Sequence, residues 1–360
     1  WGPVTLRNLL FADNWGKYGA ALQVRRGGST DTSGAQIIGC VFSGNKCPSG
    51  SYGGAVHLGS DAVVMIDSSR FIDNAVENGG FGAAIYSQSQ NLNIKNTDFL
   101  YNDAATADPL NYSKGGALEL WANTNTNIES CRFIGNRSNY HGGAIYVGGN
   151  PDNTPKLRVV NSLFRQNEAI MPANYSYSGG GGAIYADENT RLSVINCTIV
   201  ENKCYFNGSV GGGICVYSMP YPDSLIVENS IFWNNEAESI YDAFYGDSGV
   251  AWAQVGLQSG DWNERVINAS CLQGMEPIRF FARFGLDCIW EDPQLKDASG
   301  TLELESDSPC IDTGNTFVDA DPLIPGYQAL PVIDLAGASR IVDGDDDGIS
   351  DVDMGAYEYQ

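Results

Sequence analysis

The chain has 360 residues, of which 43 are glycine and 43% are apolar, and its 20 basic and 43 acidic side chains give a formal charge of −23. This composition is too apolar for a disordered protein, and the lack of an apolar run of about 18 residues argues against a transmembrane segment. An acidic chain repels phosphate backbones, so we expect no nucleic-acid partner.

The start of the chain and its composition bear on where the protein is found. The first residue is Trp1, and no signal-peptide pattern follows it, which predicts a processed or excised chain. Scattered cysteines and abundant asparagine, serine and threonine are commoner outside the cell than in the cytosol. We therefore expect an extracellular or cell-surface location.

A Phe-x-x-Asn motif recurs eight times, once with isoleucine in place of phenylalanine. Its first residues are Phe11, Phe42, Phe71, Phe99, Phe133, Phe164, Ile199 and Phe232. The intervals between them run from 28 to 35 residues. Side chains that can face inward stand five and seven positions before each motif, which predicts one short strand with a buried face in every repeat.

A second motif, Gly-Gly-Ala followed by an aliphatic residue or a close variant of it, lies between successive Phe-x-x-Asn motifs. It occupies residues 19–22, 53–56, 82–85, 115–118, 142–145, 181–184 and 211–214. Small residues let the chain turn sharply and let neighbouring coils approach each other. The variable stretches between the two motifs are rich in Gly, Ser, Asn and Asp and are expected to be loops.

Short strands that repeat in phase can bury their apolar positions only by stacking, which predicts an all-β right-handed parallel β-helix of about eight regular coils followed by irregular C-terminal coils. Leucine-rich repeats would be shorter, and propeller blades would be longer. We assign residues 1–245 to the regular helix and residues 246–360 to irregular coils and an acidic cap continuous with it. Stacking also predicts a ladder of phenylalanine rings and a structural ladder of hydrogen-bonded asparagines.

These motifs resemble those of known β-helix proteins. The paired motifs of residues 1–235 are similar to those of chlamydial polymorphic outer-membrane-protein passengers and related bacterial surface proteins. Residues 308–315 (Ser-Pro-Cys-Ile-Asp-Thr-Gly-Asn), 334–340 and 353–358 resemble the C-terminal signature of right-handed β-helix proteins of the choice-of-anchor Q type. The resemblance implies the fold and secretion by a bacterium, and it leaves the mode of surface attachment and the function open.

The C-terminal fifth of the chain is strongly acidic, with 17 acidic and 2 basic side chains in residues 291–360. Carboxylates stand at positions 1, 3, 5 and 9 of a calcium-loop pattern that has Gly348 at position 6. Asp353 or a backbone carbonyl would substitute for the missing acidic ligand of position 12, where Met354 stands. We therefore expect a structural calcium ion; the alternative is a solvated acidic turn. The predicted ligands are Asp343, Asp345, Asp347, Asp351 and Asp353.

Two pairs of cysteines have the same spacing and bracket the same turn of the repeat, which predicts local disulfides. Cys131 has the same phase but no mate, and we expect it to be a small buried residue. The predicted disulfides are Cys40–Cys47 and Cys197–Cys204, with Cys271–Cys288 as a further candidate.

The residues that could support catalysis are sparse. His57 and His141 are the two histidines, and their different phases in the repeat make a shared catalytic role improbable. Dispersed lysines and arginines disfavour a uronate lyase, which needs cations beside the substrate carboxylate. A glycosidase needs only two carboxylates about 5–10 Å apart, so the sequence leaves that activity open.

One outward row of the predicted helix could bind sugar. The position two residues after the alanine of the Gly-Gly-Ala motif holds Tyr86, Glu119, Tyr146 and Tyr185. Aromatic faces stack on sugar rings and polar tips orient them, although tyrosines can equally stack on one another without a ligand.

The sequence favours a secreted or cell-surface structural or adhesive module, with itself or other surface components as partners. The first coil has no preceding capping segment, which predicts head-to-tail self-association into an extracellular filament, with the C-terminal segment of one copy covering the first coil of the next. The alternative is a carbohydrate-binding or carbohydrate-cleaving β-helix that acts on a neutral polysaccharide.

Overall fold

A computed structural model describes most of the chain. The described residues are 4–25, 34–60, 62–105, 112–121, 125–149, 154–170, 180–205, 210–217, 225–237, 253–257, 265–274, 287–296, 301–316 and 330–360. The predicted boundary at residues 245 and 246 lies outside them. Within these ranges, no helix is long and apolar enough to cross a membrane.

Three parallel sheets form the faces of a helical winding, and each strand pairs with its equivalents one coil before and after. The first sheet contains β1 (Val4–Arg7), β4 (Gly34–Ile38), β8 (Val63–Asp67), β12 (Asn91–Lys95), β15 (Asn125–Glu129), β19 (Lys156–Val160), β23 (Arg191–Ile195), β27 (Leu225–Glu228) and β31 (Arg265–Asn268). The second contains β2 (Leu10–Ala12), β5 (Val41–Ser43), β9 (Arg70–Ile72), β13 (Asp98–Leu100), β16 (Arg132–Ile134), β20 (Leu163–Arg165), β24 (Thr198–Val200), β28 (Ile231–Trp233) and β32 (Cys271–Leu272). The third contains β3 (Leu22–Val24), β7 (Val56–Leu58), β11 (Ile85–Ser87), β14 (Leu118–Trp121), β18 (Ile145–Gly148), β22 (Ile184–Ala186), β26 (Ile214–Val216) and β30 (Val255–Leu257).

Shorter strands complete the winding. Two-residue and three-residue strands pair at the corner between the second and third sheets: β6 (Lys46–Cys47), β10 (Ala75–Val76), β17 (Arg137–Ser138), β21 (Glu168–Ile170), β25 (Lys203–Tyr205) and β29 (Glu236–Ala237). Near the C-terminus, β33 (Ile341–Val342) and β34 (Asp351–Val352) form an antiparallel pair. The chain is therefore an all-β parallel β-helix, and the predicted fold class is confirmed.

The two predicted ladders are present. The rings of Phe42, Phe71, Phe99 and Phe133 stack with centroids 4.7 to 5.0 Å apart, and all four are fully buried. From Asn45 to Asn202, each buried asparagine of the motif donates from Nδ2 to Oδ1 of the asparagine in the next coil, as in the 2.9 Å bond from Asn102 to Asn136. Each Nδ2 also donates to a carbonyl oxygen of the preceding coil, as from Asn102 to Phe71 at 3.0 Å. The stacking of equivalent residues therefore buries both the rings and the amides, because the polar atoms of the row find partners in the coils before and after.

The glycine pair makes the corner that leads into the third sheet. Gly115, the first glycine of one pair, has a φ of +63°, and a Cβ atom there would lie 2.0 Å from the carbonyl oxygen of Leu118. A Cβ on Gly116 would lie 1.9 Å from the carbonyl oxygen of Gly143 in the next coil. Only glycine therefore allows both the left-handed turn and the close packing of coils at this corner.

The expected local disulfides Cys40–Cys47 and Cys197–Cys204 are wrong, because the two members of each pair lie in different clusters and no disulfide joins them. The Cys40 thiol contacts the carbonyl oxygen of Ile38, as the hydroxyl of Ser69 contacts that of Asp67 one coil later. Cys40 thus occupies a ladder of small hydroxyl and thiol residues inside the helix. Cys47 belongs to a separate cluster at the corner, and its thiol contacts the carbonyl oxygen of Gly53.

Cys131 and Cys197 occupy the same ladder as Cys40. The thiols of Cys131 and Cys197 donate to the carbonyl oxygens two residues earlier, at 3.2 Å in both cases. Cys204 lies in a different cluster from Cys197, beside Ala169. Cys131 is buried, as predicted for a small core residue.

The C-terminal segment lies along the outer face of the second sheet. Ala356 and Tyr357 pack against Leu163 and Val200, whose side chains point away from the helix interior. The amide of Ala356 donates to Oγ1 of Thr198 at 2.9 Å. This segment therefore covers apolar side chains that the coils alone would leave exposed.

Candidate functional site: an aromatic cleft on the third sheet

The predicted outward row exists on the third sheet but is covered over much of its length. Parallel pairing places Tyr86 beside Glu119, Glu119 beside Tyr146, and Tyr146 beside Tyr185. The four side chains are only 0 to 6% exposed. The side chains of this row are therefore not open to solvent, because a second row of side chains lies against them.

The second row comes from the residues immediately before the glycine pairs. Tyr52, Phe81, Lys114 and His141 are joined by parallel bridges in successive coils. The left-handed glycine turn folds each of them back toward the row residue five positions later in the sequence. Sequence reasoning missed this row, although its signal was present as an aromatic or cationic residue before successive glycine pairs.

A cleft of about 710 Å³ opens where the two rows meet loop residues from neighbouring coils. Trp121 at the end of β14 pairs with Gly148 of β18, and the ring of Tyr146 lies parallel to the Trp121 ring with the centroids 6.4 Å apart. The rings of Tyr112 and Tyr140 lie on another side of the cleft, tilted against each other with their centroids 4.8 Å apart. The described residues that line the cleft are Tyr52, Phe81, Tyr86, Gln88, Tyr112, Lys114, Glu119, Trp121 and Tyr140.

Glu119 is the only acidic residue among the described lining residues, and it is 4% exposed. Burial raises the pKa of its carboxyl to about 8, although the ammonium of Lys114 opposes this shift. Its Oε2 has no hydrogen-bond partner among the described residues. At neutral pH the carboxyl is therefore mostly protonated, and it can both donate a hydrogen bond and accept one from a ligand.

Lys114 is held in place by the tyrosine row. Its Nζ donates to Oη of Tyr146 at 2.9 Å and lies 4.1 Å from the centroid of that ring. The Tyr146 hydroxyl in turn donates to a carboxylate oxygen of Asp187. This arrangement fixes one cation at the edge of the cleft.

The C-terminal part of the row, from Tyr146 to Tyr185, is a packed aromatic cluster. Tyr146 and Tyr185 are buried with Val210 and Cys215, and the ring of His141 stacks on Tyr185 at 3.8 Å. Desolvation lowers the pKa of His141 well below its usual value, so this imidazole is neutral. Of the four predicted sugar-binding residues, Tyr86 and Glu119 line the cleft. Tyr146 and Tyr185 belong to the adjoining buried cluster.

His57 lies elsewhere on the same row. Its ring stacks on Tyr86 at 5.4 Å and makes an edge contact with Tyr18. Burial and the charge of Arg25 lower its pKa. The two histidines lie in coils separated by two others, as expected, and among the described residues of the cleft neither is a lining residue.

The acidic loop is folded around a residue that was not among the predicted ligands. Oxygens of Asp312, Asp343 and Asp345 lie within 4.8 Å of one another. Asp312 also accepts the amides of Gly344 and Asp345 at 2.7 and 3.0 Å, which fixes the loop around it. Three carboxylates that converge at the surface suit calcium, which takes only oxygen ligands and keeps waters in its remaining positions.

The carboxylates of the other predicted calcium ligands are not among the three that converge. Asp351 accepts a hydrogen bond from the hydroxyl of Thr316 at 2.6 Å, and Asp347 accepts the amide of Ile349 at 2.8 Å. Asp353 is 2% exposed, and its two oxygens accept the amides of Asp312 and Tyr359. Burial raises the pKa of Asp353 to about 6, so its environment is that of an internal support for the loop.

A comparison with protein families places the chain among known folds. The family described as "Right handed beta helix region" matches residues 4–251. The chain belongs to the right-handed β-helix family. None of the curated proteins searched matches the chain, and none of the solved structures searched matches it.

Proposed function

We propose that this β-helix is a surface module that binds a neutral glycan in the aromatic cleft of the third sheet. The observation that carries the proposal is the meeting of aromatic rings, most of them half-buried, with one buried carboxyl whose Oε2 has no described partner, that of Glu119. Sugar-binding sites combine ring faces that stack on the C–H face of a pyranose with a few polar groups that fix its hydroxyls. The lining residues come from four successive coils, so the cleft extends about 15 Å along the axis.

The charges around the cleft indicate what kind of glycan fits. The cation of Lys114 is already bound by Tyr146, and burial keeps the Glu119 carboxyl largely neutral. The chain as a whole carries a charge of −23, which repels polyuronates and sulfated polymers. A neutral oligosaccharide is therefore the ligand class that the site favours.

Binding is favoured over cleavage. Glycoside hydrolysis uses two carboxyl groups on opposite sides of the bond, and the described residues of the cleft supply one. An array of neutral and acidic glycans, followed by calorimetry on the neutral hits and reducing-end assays, tests both activities. We expect binding of neutral glycans without release of reducing ends; release of reducing ends would replace binding with hydrolysis as the function.

Two variants separate the cleft from general surface stickiness. Trp121→Ala removes an aromatic wall of the cleft, and we expect it to weaken glycan binding at least tenfold. Trp15→Ala is the matched control, because Trp15 is 61% exposed on the first coil and does not line the cleft. Equal affinity of Trp121→Ala and the unchanged protein would show that the glycan binds elsewhere.

The proposed location is extracellular or cell-surface, and the proposed role there is adhesion. The resemblance of the repeats to outer-membrane passenger motifs supports this, as does the resemblance of residues 308–358 to an anchored β-helix signature. Head-to-tail filament formation is proposed as the way in which such modules would assemble. Residues 355–357 pack on the flank of their own chain, so a filament joint would involve other parts of the C-terminal segment.

Calcium is proposed as a structural ligand of the acidic loop. Asp312, Asp343 and Asp345 would hold it, and waters or carbonyl oxygens would complete the six to eight ligands that calcium takes. The bound ion would neutralise three carboxylates that otherwise repel one another.

A further inference from the structure

Cys271 and Cys310 meet at the junction between the last coil and the C-terminal segment. Cys271 belongs to β32, the last strand of the second sheet, and Cys310 lies in a turn of the segment that packs on it. Both side chains are fully buried in one apolar cluster with Ile231 and Met354. The neighbouring Cys310 thiol raises the pKa of Cys271, so the two side chains interact within this cluster, and the Cys271 thiol also contacts the carbonyl oxygen of Glu291 at 3.3 Å.

The backbone around both cysteines is fixed from either side. The amide of Cys271 donates to the carbonyl oxygen of Ser230 at 2.9 Å, and the carbonyl oxygen of Cys310 accepts the amide of Met354 at 3.0 Å. Both side chains therefore lie in one cluster at the junction, on backbone positions that hydrogen bonds hold in place. Cys288 is a less suitable partner, because it packs against the main interior cluster and not against the cluster that holds Cys271.

We propose that Cys271 and Cys310 form a disulfide that fastens the C-terminal segment to the last coil. The two thiols lose two electrons and two protons to a disulfide compound such as oxidised glutathione, which leaves as two thiols. The new bond is the one between the two sulfur atoms. Since both thiols are fully buried in the folded chain, oxidation occurs before the segment docks or while it docks.

The proposed disulfide distinguishes this pair from the other cysteines. Cys40, Cys131 and Cys197 each face a backbone carbonyl within the helix interior and take the place of serine in a ladder. Their thiols stay reduced under the same conditions, because no second thiol stands opposite them in that ladder among the described residues. Burial inside the apolar cluster also keeps the finished disulfide away from reductants.

Thiol mapping of the full chain tests the proposal. The protein is refolded in a buffer of oxidised and reduced glutathione, alkylated in denaturant and digested for mass spectrometry. We expect a cross-linked peptide pair containing Cys271 and Cys310, with Cys40 and Cys131 alkylated. Full alkylation of both Cys271 and Cys310 in a folded protein would overturn the proposal, and so would a Cys271–Cys288 cross-link.

Serine variants provide a second readout that does not depend on peptide recovery. Cys271→Ser and Cys310→Ser should lower the Tm by similar amounts, and the double variant should lower it no further, because either change breaks the same bond. Reductant present during refolding should lower the Tm of the unchanged protein and leave that of the variants unaffected. Cys131→Ser is the matched control: its response to reductant should equal that of the unchanged protein. Additive losses in the double variant would contradict the disulfide.

Discussion

Arg340 and Glu358 form an ion pair inside the protein, with 2.6 Å between Nη1 and Oε1 and neither side chain more than 1% exposed. Nη2 of Arg340 donates to Oδ1 of Asn161, in the turn that precedes β20, and to the carbonyl oxygen of Ala356. Arg340, which belongs to the C-terminal segment, therefore contacts a turn of the regular helix. The ion pair connects the two parts of the molecule.

Arg340→Met should release the C-terminal segment from the second sheet. Removing one partner of a buried ion pair leaves the other charge uncompensated, which typically costs about 3–5 kcal/mol. Hydrogen exchange of the amides in residues 352–358 and urea unfolding measure the effect. Arg132→Met is the control, because Arg132 pairs with Asp98 with half of its side chain exposed, and we expect a loss of about 1 kcal/mol or less. Equal losses in the two variants would contradict a special role for the buried pair.

Asn136→Ala should destabilise the helix by about 1–3 kcal/mol, because it leaves buried donors without partners. Oδ1 of Asn136 accepts both the amide and Nδ2 of Asn102 at 3.1 and 2.9 Å. The free energy of unfolding in urea measures the change. Asn93→Ala, on the exposed face of β12, should change it by no more than about 0.5 kcal/mol. An Asn136→Ala variant as stable as Asn93→Ala would show that the ladder contributes nothing.

Glu119→Gln should flatten the dependence of stability on pH. The pKa of Glu119 rises from 4.5 to about 8 on folding, so the folded state holds a proton that the unfolded state releases. This contribution to stability is complete below pH 4.5 and falls as the pH rises toward 8, with a slope of up to about 1.4 kcal/mol per pH unit. The glutamine variant lacks this titration, so the difference between the two proteins should grow across that range.

Urea unfolding at intervals between pH 5 and pH 8 gives the measurement. The ordinary titrations of all other groups cancel in the difference, provided that both proteins unfold in two states. Glu129→Gln serves as the control, because Glu129 is a partly exposed carboxylate paired with Lys95 on the first sheet. A constant difference between Glu119→Gln and the unchanged protein would mean that Glu119 titrates normally.

Asp312→Asn should weaken calcium binding at least tenfold and lower the gain in Tm that calcium produces. Its carboxylate is one of three that converge, and it organises the loop through backbone amides. Calorimetry on protein treated with a chelator measures the affinity. Asp346→Asn is the control, because Asp346 lies in the same loop but outside the converging group. A lack of binding heat in the unchanged protein would reject the site altogether.

The regular coils could be predicted from the sequence because their register repeats along it. The spacing of Phe42 and Asn45 recurs in every coil, and the same interval carries the inward alternation of β4 and β8. Each repeat thus contains the information for its own strands and for its contacts with the next. This is why the fold followed from one motif and its phase.

The position of Cys40 within the repeat was predicted correctly, but its predicted disulfide with Cys47 was wrong. Cys40 stands in the same phase as Ser69 and Ser162, so its neighbours in the row already indicated a hydrogen-bonding role for a small side chain. Spacing along the sequence placed Cys47 close to Cys40 but did not show that the chain turns a corner between them. The two thiols therefore face different clusters.

The candidate sites were only partly predictable, because loops and distant segments complete them. Tyr112 and Tyr140 lie outside the two regular rows, where no repeat marks their position. Asp312 reaches the acidic loop from 31 residues before Asp343, and only folding brings them together. Glu119 was found because it stands in a regular row, but its burial depends on the row that the glycine corner folds over it.

The asparagine row has a direction. Every Nδ2 donates toward the C-terminal neighbour, from Asn14 to Asn45 at one end and from Asn235 to Oε1 of Gln254 at the other. Eight amide dipoles consequently point the same way along the axis, and Gln254 supplies the acceptor at which the series stops. A coil duplicated or deleted within the series leaves the same donor facing the same acceptor, so the length of this molecule can change by whole repeats without disturbing its polarity.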